Sequence, residues 1–293
     1  MKKIAGKKAL LYFYFLDLFL LLILVLSFIP FGKRKKIENI ESSFISLDDI
    51  KELKKISISE VKGGQREIVN LYIDSELNFY YGSDSPSNNK LFWPCDKKNV
   101  DDLLNVFLKP RTFFVKARNV RYWDNLGVDE KNASSITFYG EGDKILSMLY
   151  FGFEDSLTKR ISFRTWKEQI VYETEDDAEY YLQTSPSFWA DPFLYPICIT
   201  EYERNKAEKG LRRGLIEALI PREGLEPEKI IRKDFENGAS IKLNLYLKDS
   251  EYIVIPEFIP GPAFTEKARK VLNKLNYRYS ISLYTAQKLF EEE

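Results

Sequence analysis

Several residue sets in this 293-residue chain have types and spacings that invite a chemical reading. Ser156-Leu157-Thr158-Lys159 has the SxxK spacing by which a lysine activates a serine nucleophile. Glu173, Glu175, Asp176 and Asp177 would supply paired carboxylates for glycoside hydrolysis or oxygen ligands for a hard cation. Trp93, Trp123, Trp166 and Trp189 offer rings for stacking on sugars. Cys95 and Cys198 would form one disulfide if the body lies outside the cytoplasm, or remain two small buried hydrophobes. Asp17 sits alone among apolar residues.

Most of this catalytic chemistry lacks its partners. Histidine is absent, which removes Ser-His-Asp, Cys-His, HExxH and zinc-finger arrangements at once. The SxxK stretch falls in a predicted hairpin turn with no KTG element elsewhere, whereas that chemistry needs the serine at a helix start. The acidic run reads rather as a solvated turn capping the helix that follows it, where the macrodipole favours carboxylates. The cysteines form no CxxC, so no dithiol or thiolate metal site is expected. A Walker A or GxGxxG loop is missing, so any ATP hydrolysis belongs to a partner. Lys+Arg and Asp+Glu are both 44, which leaves no basic field for a nucleic acid. The chain is therefore expected to be no enzyme and to carry no resident metal or cofactor.

The elements that hold these residues begin with an anchor. Residues 9–31 form an apolar run of the roughly 20 residues a helix needs to cross a bilayer, with Asp17 its one charge. The run has no small-residue cleavage site, so it reads as an uncleaved single-pass anchor after a tail of residues 1–8. Asp17 lies roughly 13 Å deep at about 1.5 Å per residue, too deep and too short to snorkel. It is either a contact with a polar group of another membrane subunit or a protonated carboxyl tolerated in an apolar helix. Basic residues flank both ends of the span and cancel. The short N-terminal tail is then expected in the cytoplasm and the body outside.

Residues 32–55 read as a tether. The body is predicted to be α+β, with antiparallel sheets in a first lobe over 56–200, a connecting helix over 201–222 and a second lobe over 223–293. Strands are expected at 56–61, 67–73 and 78–81, then a helix capped by Asp96 with Val100, Leu103, Leu104 and Phe107 on one face. A meander follows over 135–139, 145–151, 159–165 and 169–173, then a helix over 177–182. Val69-Asn70-Leu71-Tyr72-Ile73 reappears as Leu243-Asn244-Leu245-Tyr246-Leu247, and Leu103-Leu104-Asn105 as Val271-Leu272-Asn273. The lobes thus read as two related strand-strand-helix-strand units.

The order of features resembles the DUF4340 family of bacterial membrane-anchored domains. Trp93-Pro94-Cys95-Asp96-Lys97 is similar to its aromatic-Pro-x-Asp lead into a helix. Leu126-Gly127-Val128-Asp129 and Phe151-Gly152 resemble its GLD-type and strand-Gly segments, and Tyr181-Leu182-Gln183-Thr184-Ser185-Pro186 with Trp189 its segment closing the first lobe. Where the family usually has an aromatic before its Gly-Leu pair, this chain has Asn125-Leu126. Genes of the family often lie beside those of gliding-motility-type ABC transporters. The resemblance therefore implies an extracytoplasmic accessory subunit beside permease and ATPase subunits, and it brings no catalytic residues. The rival expectations are an envelope polysaccharide- or peptidoglycan-binding module and a carboxylate-dependent hydrolase.

Overall fold

The structure is a computed structural model that describes residues 16, 18–21, 39–74, 79–85, 91–175, 177–194, 226–236 and 238–291. Contacts divide the chain into Met1–Asn39 and Ile40–Glu293. In the first unit Leu16 and residues 18–21 are helical. Asp17 and most of the expected span at 9–31 lie outside the described residues. Among the described residues no helix is long and apolar enough to cross a membrane.

The second unit is β-rich α+β, with a ten-stranded and a four-stranded sheet built from antiparallel strand pairs. The large sheet contains β1 (Asn39–Ser42), β2 (Lys55–Lys62), β3 (Gln65–Asp74), β4 (Phe79–Ser85) and β5 (Phe92–Pro94). Its later strands are β6 (Arg111–Ala117), β7 (Ser134–Tyr139), β8 (Ile145–Asp155), β9 (Arg160–Thr165) and β10 (Val171–Glu175). The spatial order is β1-β6-β10-β9-β8-β7-β2-β3-β4-β5. Period-two alternation gives this sheet two unlike faces. Ile56, Ile58, Val69, Leu71, Ile136, Phe138 and Leu149 point to one of them and are buried. Ser57, Ser59, Ser135, Thr137 and Arg164 point to the other.

Helix α2 (Lys97–Leu108) covers the apolar face with Val100, Leu103 and Phe107. Asp96 caps it by accepting from Lys98 N at 2.9 Å, and Lys97–Asp101 and Lys98–Asp102 pairs lace its exposed side at 2.6 Å each. Phe44 lies at the centre of the core. Its ring centroid is 5.1 Å from Phe107, 5.4 Å from Phe151 and 5.0 Å from Phe163.

Residues 39–53, expected as part of a tether, are instead built into the body. β1 pairs at the edge of the large sheet, Phe44 and Ile45 are buried, and Ser46 caps α1 (Leu47–Glu52). The backbone N–H groups of Phe44 and Ile45 both donate to Phe107 O, at 3.1 and 3.3 Å. They satisfy a carbonyl that the end of α2 leaves open. The polar sequence of this stretch concealed a two-residue apolar plug.

The small sheet runs β11 (Lys229–Asp234), β12 (Ser240–Lys248), β13 (Glu251–Ile259) and β14 (Tyr279–Ser282) in sequence order. Ile241, Leu243, Leu245, Val254 and Ile281 form its buried face, with Leu272 of α3 (Glu266–Leu272) and Leu289 of α4 (Leu283–Glu291). Pro256 sits in β13 beyond the Glu251–Val254 stretch that pairs with β14, so its missing N–H breaks no ladder there. The sheets meet at β5, where Phe92 N donates to Asn276 Oδ1 (2.6 Å) and Asn276 N to Phe92 O (3.1 Å).

Candidate functional site

The residues singled out in the sequence are distributed rather than gathered. Trp93 and Trp189 are both 0% exposed, which corrects their reading as stacking platforms: no ring face is open to a ligand. Trp93 lies on Gly82 so closely that a Cβ there would come within 2.6 Å of its Nε1. Trp189 donates through Nε1 to Gln183 O at 2.7 Å and packs edge-on to Phe188. Trp123 is half-buried, with Nε1 bonded to Gln169 O and one face over the Arg164 guanidinium at 3.8 Å. Trp166 is 42% exposed and is the one of the four with an open ring.

The acidic run is a set of strand ties. Glu173 pairs with Lys116 at 2.6 Å and Arg160 at 3.4 Å, and Asp177 pairs with buried Arg111 and with Lys109. Glu175 is an exposed residue of β10, and Asp176 lies outside the described residues. In place of the helix expected over 177–182 there is a 3₁₀ turn, Glu179–Tyr181, without a side-chain cap. Ser156 and Lys159 occupy the β8–β9 turn, and the Lys159 ammonium is held by Glu154 at 3.0 Å. Cys95 is buried, and Cys198 lies outside the described residues. Among the described residues no group of His, Cys, Asp or Glu is placed to hold a metal ion.

The motifs of the resemblance pack against one another in pairs. The Trp93–Lys97 segment is bound to the Trp189 turn by a Cys95–Ala190 bridge, by Asp96 N to Trp189 O and by Asp191 N to Pro94 O, both 2.8 Å. Leu126-Gly127 is bound to Gly152-Phe153 through Phe153 N to Leu126 O at 3.0 Å. Gly127 is required by its left-handed φ of 69°, and Gly152 by close backbone approach, since a Cβ there would fall 2.0 Å from Leu126 O.

Behind this staple Arg164 is buried on the polar face of the large sheet. Its side chain is 1% exposed, between Trp123 and Tyr150 (4.0 Å), with Nε donating to Val128 O at 2.8 Å. Burial lowers the pKa of its guanidinium, against the opposing influence of Tyr150 and Glu130.

A groove of about 430 Å³ opens on the other face, between the ends of β2, β7, β8 and β9 and the 179–183 segment. Phe151, Ile161 and Leu182 give it apolar surface, and Glu60, Ser134, Glu179, Tyr180 and Gln183 give it polar groups. Beside it Glu60 and Glu67 stand directly opposite across β2 and β3. Lys62 Nζ reaches both, at 2.9 and 3.6 Å, and Thr184 Oγ1 lies 3.2 and 2.9 Å from their carboxylates. The hydrogen bond to Glu60 raises the Lys62 pKa, with burial opposing. This group was missed in the sequence, although the Gly63-Gly64 turn sets the register that opposes the two glutamates. Thr184 arrives from more than a hundred residues away, and no local signal announces it. Comparison of the chain with protein-family models, curated proteins and solved structures finds no match to any of them.

Proposed function

We propose that the chain is a non-catalytic accessory or scaffold subunit of an ABC-type transport or motility-related complex. Residues 9–31 are its single transmembrane span, with the N-terminus cytoplasmic and the body extracytoplasmic. The observation that carries this reading is the use made of the acidic run: Glu173 and Asp177 are spent on basic partners that tie strands together, so they serve architecture rather than hydrolysis. The resemblance to DUF4340 domains supports the same reading, and its motifs act here as internal staples. The two-lobe reading has support in β3 and β12, each the second strand of a meander, where Val69 and Leu71 are buried as Leu243 and Leu245 are.

The test is purification of the full-length chain from its native membrane in mild detergent, with mass spectrometry of what accompanies it. Permease and ATPase subunits should be recovered with the wild type and lost with Asp17→Leu, because an aspartate in the hydrocarbon needs a polar partner. A chain that comes away alone in several detergents overturns the proposal.

A second reading, an envelope glycan-binding module, is favoured by the exposed Trp166 ring. Retention of the chain on peptidoglycan or surface polysaccharide, lost on Trp166→Ala, would support it; no retention would remove it.

A further inference from the structure

Two surface turns bring positive charge to open rings. Trp166 follows Arg164 by two residues and its backbone N–H donates to Met148 O at 3.0 Å, so it continues the line of β9 on the polar face, beside the Trp123 ring that covers Arg164. Trp123 Nε1 in turn donates to Gln169 O, which ties the Val120–Tyr122 turn to the turn over 166–170. Trp166, Tyr122 and Val120 are 42, 39 and 47% exposed, so the tied turns present aromatic and apolar surface together.

The cations of these turns stand at the rings. The Arg121 guanidinium lies 4.7 Å from the Tyr122 centroid and donates to the Tyr122 hydroxyl at 2.7 Å, and the Lys167 ammonium lies 5.3 Å from the Trp166 centroid. Among the described residues neither cationic head meets a carboxylate. Over 118–124 and 166–170, Arg118, Arg121 and Lys167 stand against Asp124 and Glu168, and Glu168 already accepts from the Tyr172 hydroxyl at 2.9 Å. An open indole stacks on the C–H face of a sugar ring, and a cation at its rim selects a sugar that carries a carboxylate. We propose that this patch binds an acidic polysaccharide, a polyuronate, with Trp166 and Tyr122 under the sugar rings and Lys167 and Arg121 on their carboxylates. The proposal names the ligand class of the glycan-binding reading and rests on it. Single-stranded nucleic acid also uses rings and cations, but it needs a basic groove that tracks its backbone, which an excess of one charge does not make.

The test titrates the full-length chain in neutral detergent micelles by calorimetry with an oligogalacturonate, with its methyl ester, which keeps the sugar rings and removes their charge, and with oligothymidylate. Saturable binding of the oligogalacturonate is expected, about tenfold tighter than that of the ester, the order of one charge-assisted hydrogen bond. That advantage should shrink as salt is raised. Lys167→Gln and Arg121→Gln, both at exposed positions, should keep the wild-type melting temperature and the ester affinity while bringing the acid down toward the ester. Trp166→Ala should weaken both sugars alike. Equal affinity for acid and ester, or an acid preference that survives both charge substitutions, overturns the acidic assignment and leaves the glycan reading standing. Failure of both sugars to saturate removes the two together, and tighter binding of oligothymidylate than of either sugar overturns the proposal in favour of a nucleic-acid surface.

Discussion

The two sheets of the body solve the same problem with different chemistry. The large sheet buries an aromatic cluster around Phe44 on one face and roofs its polar face with a loop that buries Arg164 between two rings. The small sheet buries aliphatic rows from β12 and β13 and leaves its polar pairs, such as Lys242–Glu257 at 3.2 Å, partly in water. A ten-stranded sheet has more surface than one helix can cover, so polar residues, ion pairs and a groove fill what remains. Four strands flanked by two short helices leave no such surplus. The candidate chemistry therefore accumulates in the large sheet, because its second face and open end need polar solutions.

The two cores are nonetheless continuous, since Phe163 and Leu243 belong to one buried cluster. The largest expected effects test that continuity. Phe163→Ala should remove about 4 kcal/mol of stability and Leu243→Ala about 3 kcal/mol. Both should lower the same thermal transition of the full chain, followed by circular dichroism. If each lowers a separate transition, the sheets are independent folding units and the Phe92–Asn276 pairing does not couple them.

Smaller effects should separate the two polar faces. Arg164→Lys keeps the charge but loses the flat fit between Trp123 and Tyr150 and the Nε bond to Val128 O. About 2 kcal/mol should be lost, with a change in Trp123 fluorescence. Lys242→Met, at a pair whose side chains are partly in water, should stay within about 0.5 kcal/mol. Equal losses at the two sites would erase the distinction between a roofed and an open polar face.

What the sequence disclosed follows the same division. The β2–β3 hairpin, the Asp96-capped helix and the β7–β10 meander were legible because each is written in local period and turn chemistry. β1 was not, because Asn39–Ser42 is polar and becomes a strand only through its distant partner β6. β5 was not, because three residues carry no period. Tryptophan content pointed to stacking sites, but burial is a tertiary property, and Gly82 made room for Trp93 where no spacing rule would show it. The groove depends on Glu60 from β2 and Tyr180 from a turn that a helical reading had absorbed.

The smallest effect concerns the hairpin turns. The β12–β13 turn relies on backbone, with Asp249 at φ 53°. The β8–β9 turn has its own left-handed residue, Lys159 at φ 55°, and adds a charge: the Asp155 carboxylate accepts from Thr158 N at 3.1 Å and Leu157 N at 2.9 Å, and these bonds hold its pKa below the ordinary value of 3.8. A carboxyl depressed in the folded state stabilises the turn at pH above that ordinary value and loses its contribution as pH falls through the lowered one. Amide exchange at Leu157 and Thr158 should therefore speed up, relative to the intrinsic rate, as the full chain is acidified through that window. Asp155→Asn, whose side chain still accepts but no longer titrates, should flatten the dependence. Since Asp155 is half-buried at the surface and its two amide bonds lie within the turn itself, the opening should stay confined to the turn and leave the global melting temperature almost unmoved. If protection at the two amides ignores pH in the wild type, the carboxylate does not hold this turn, and both hairpins rest on backbone conformation alone.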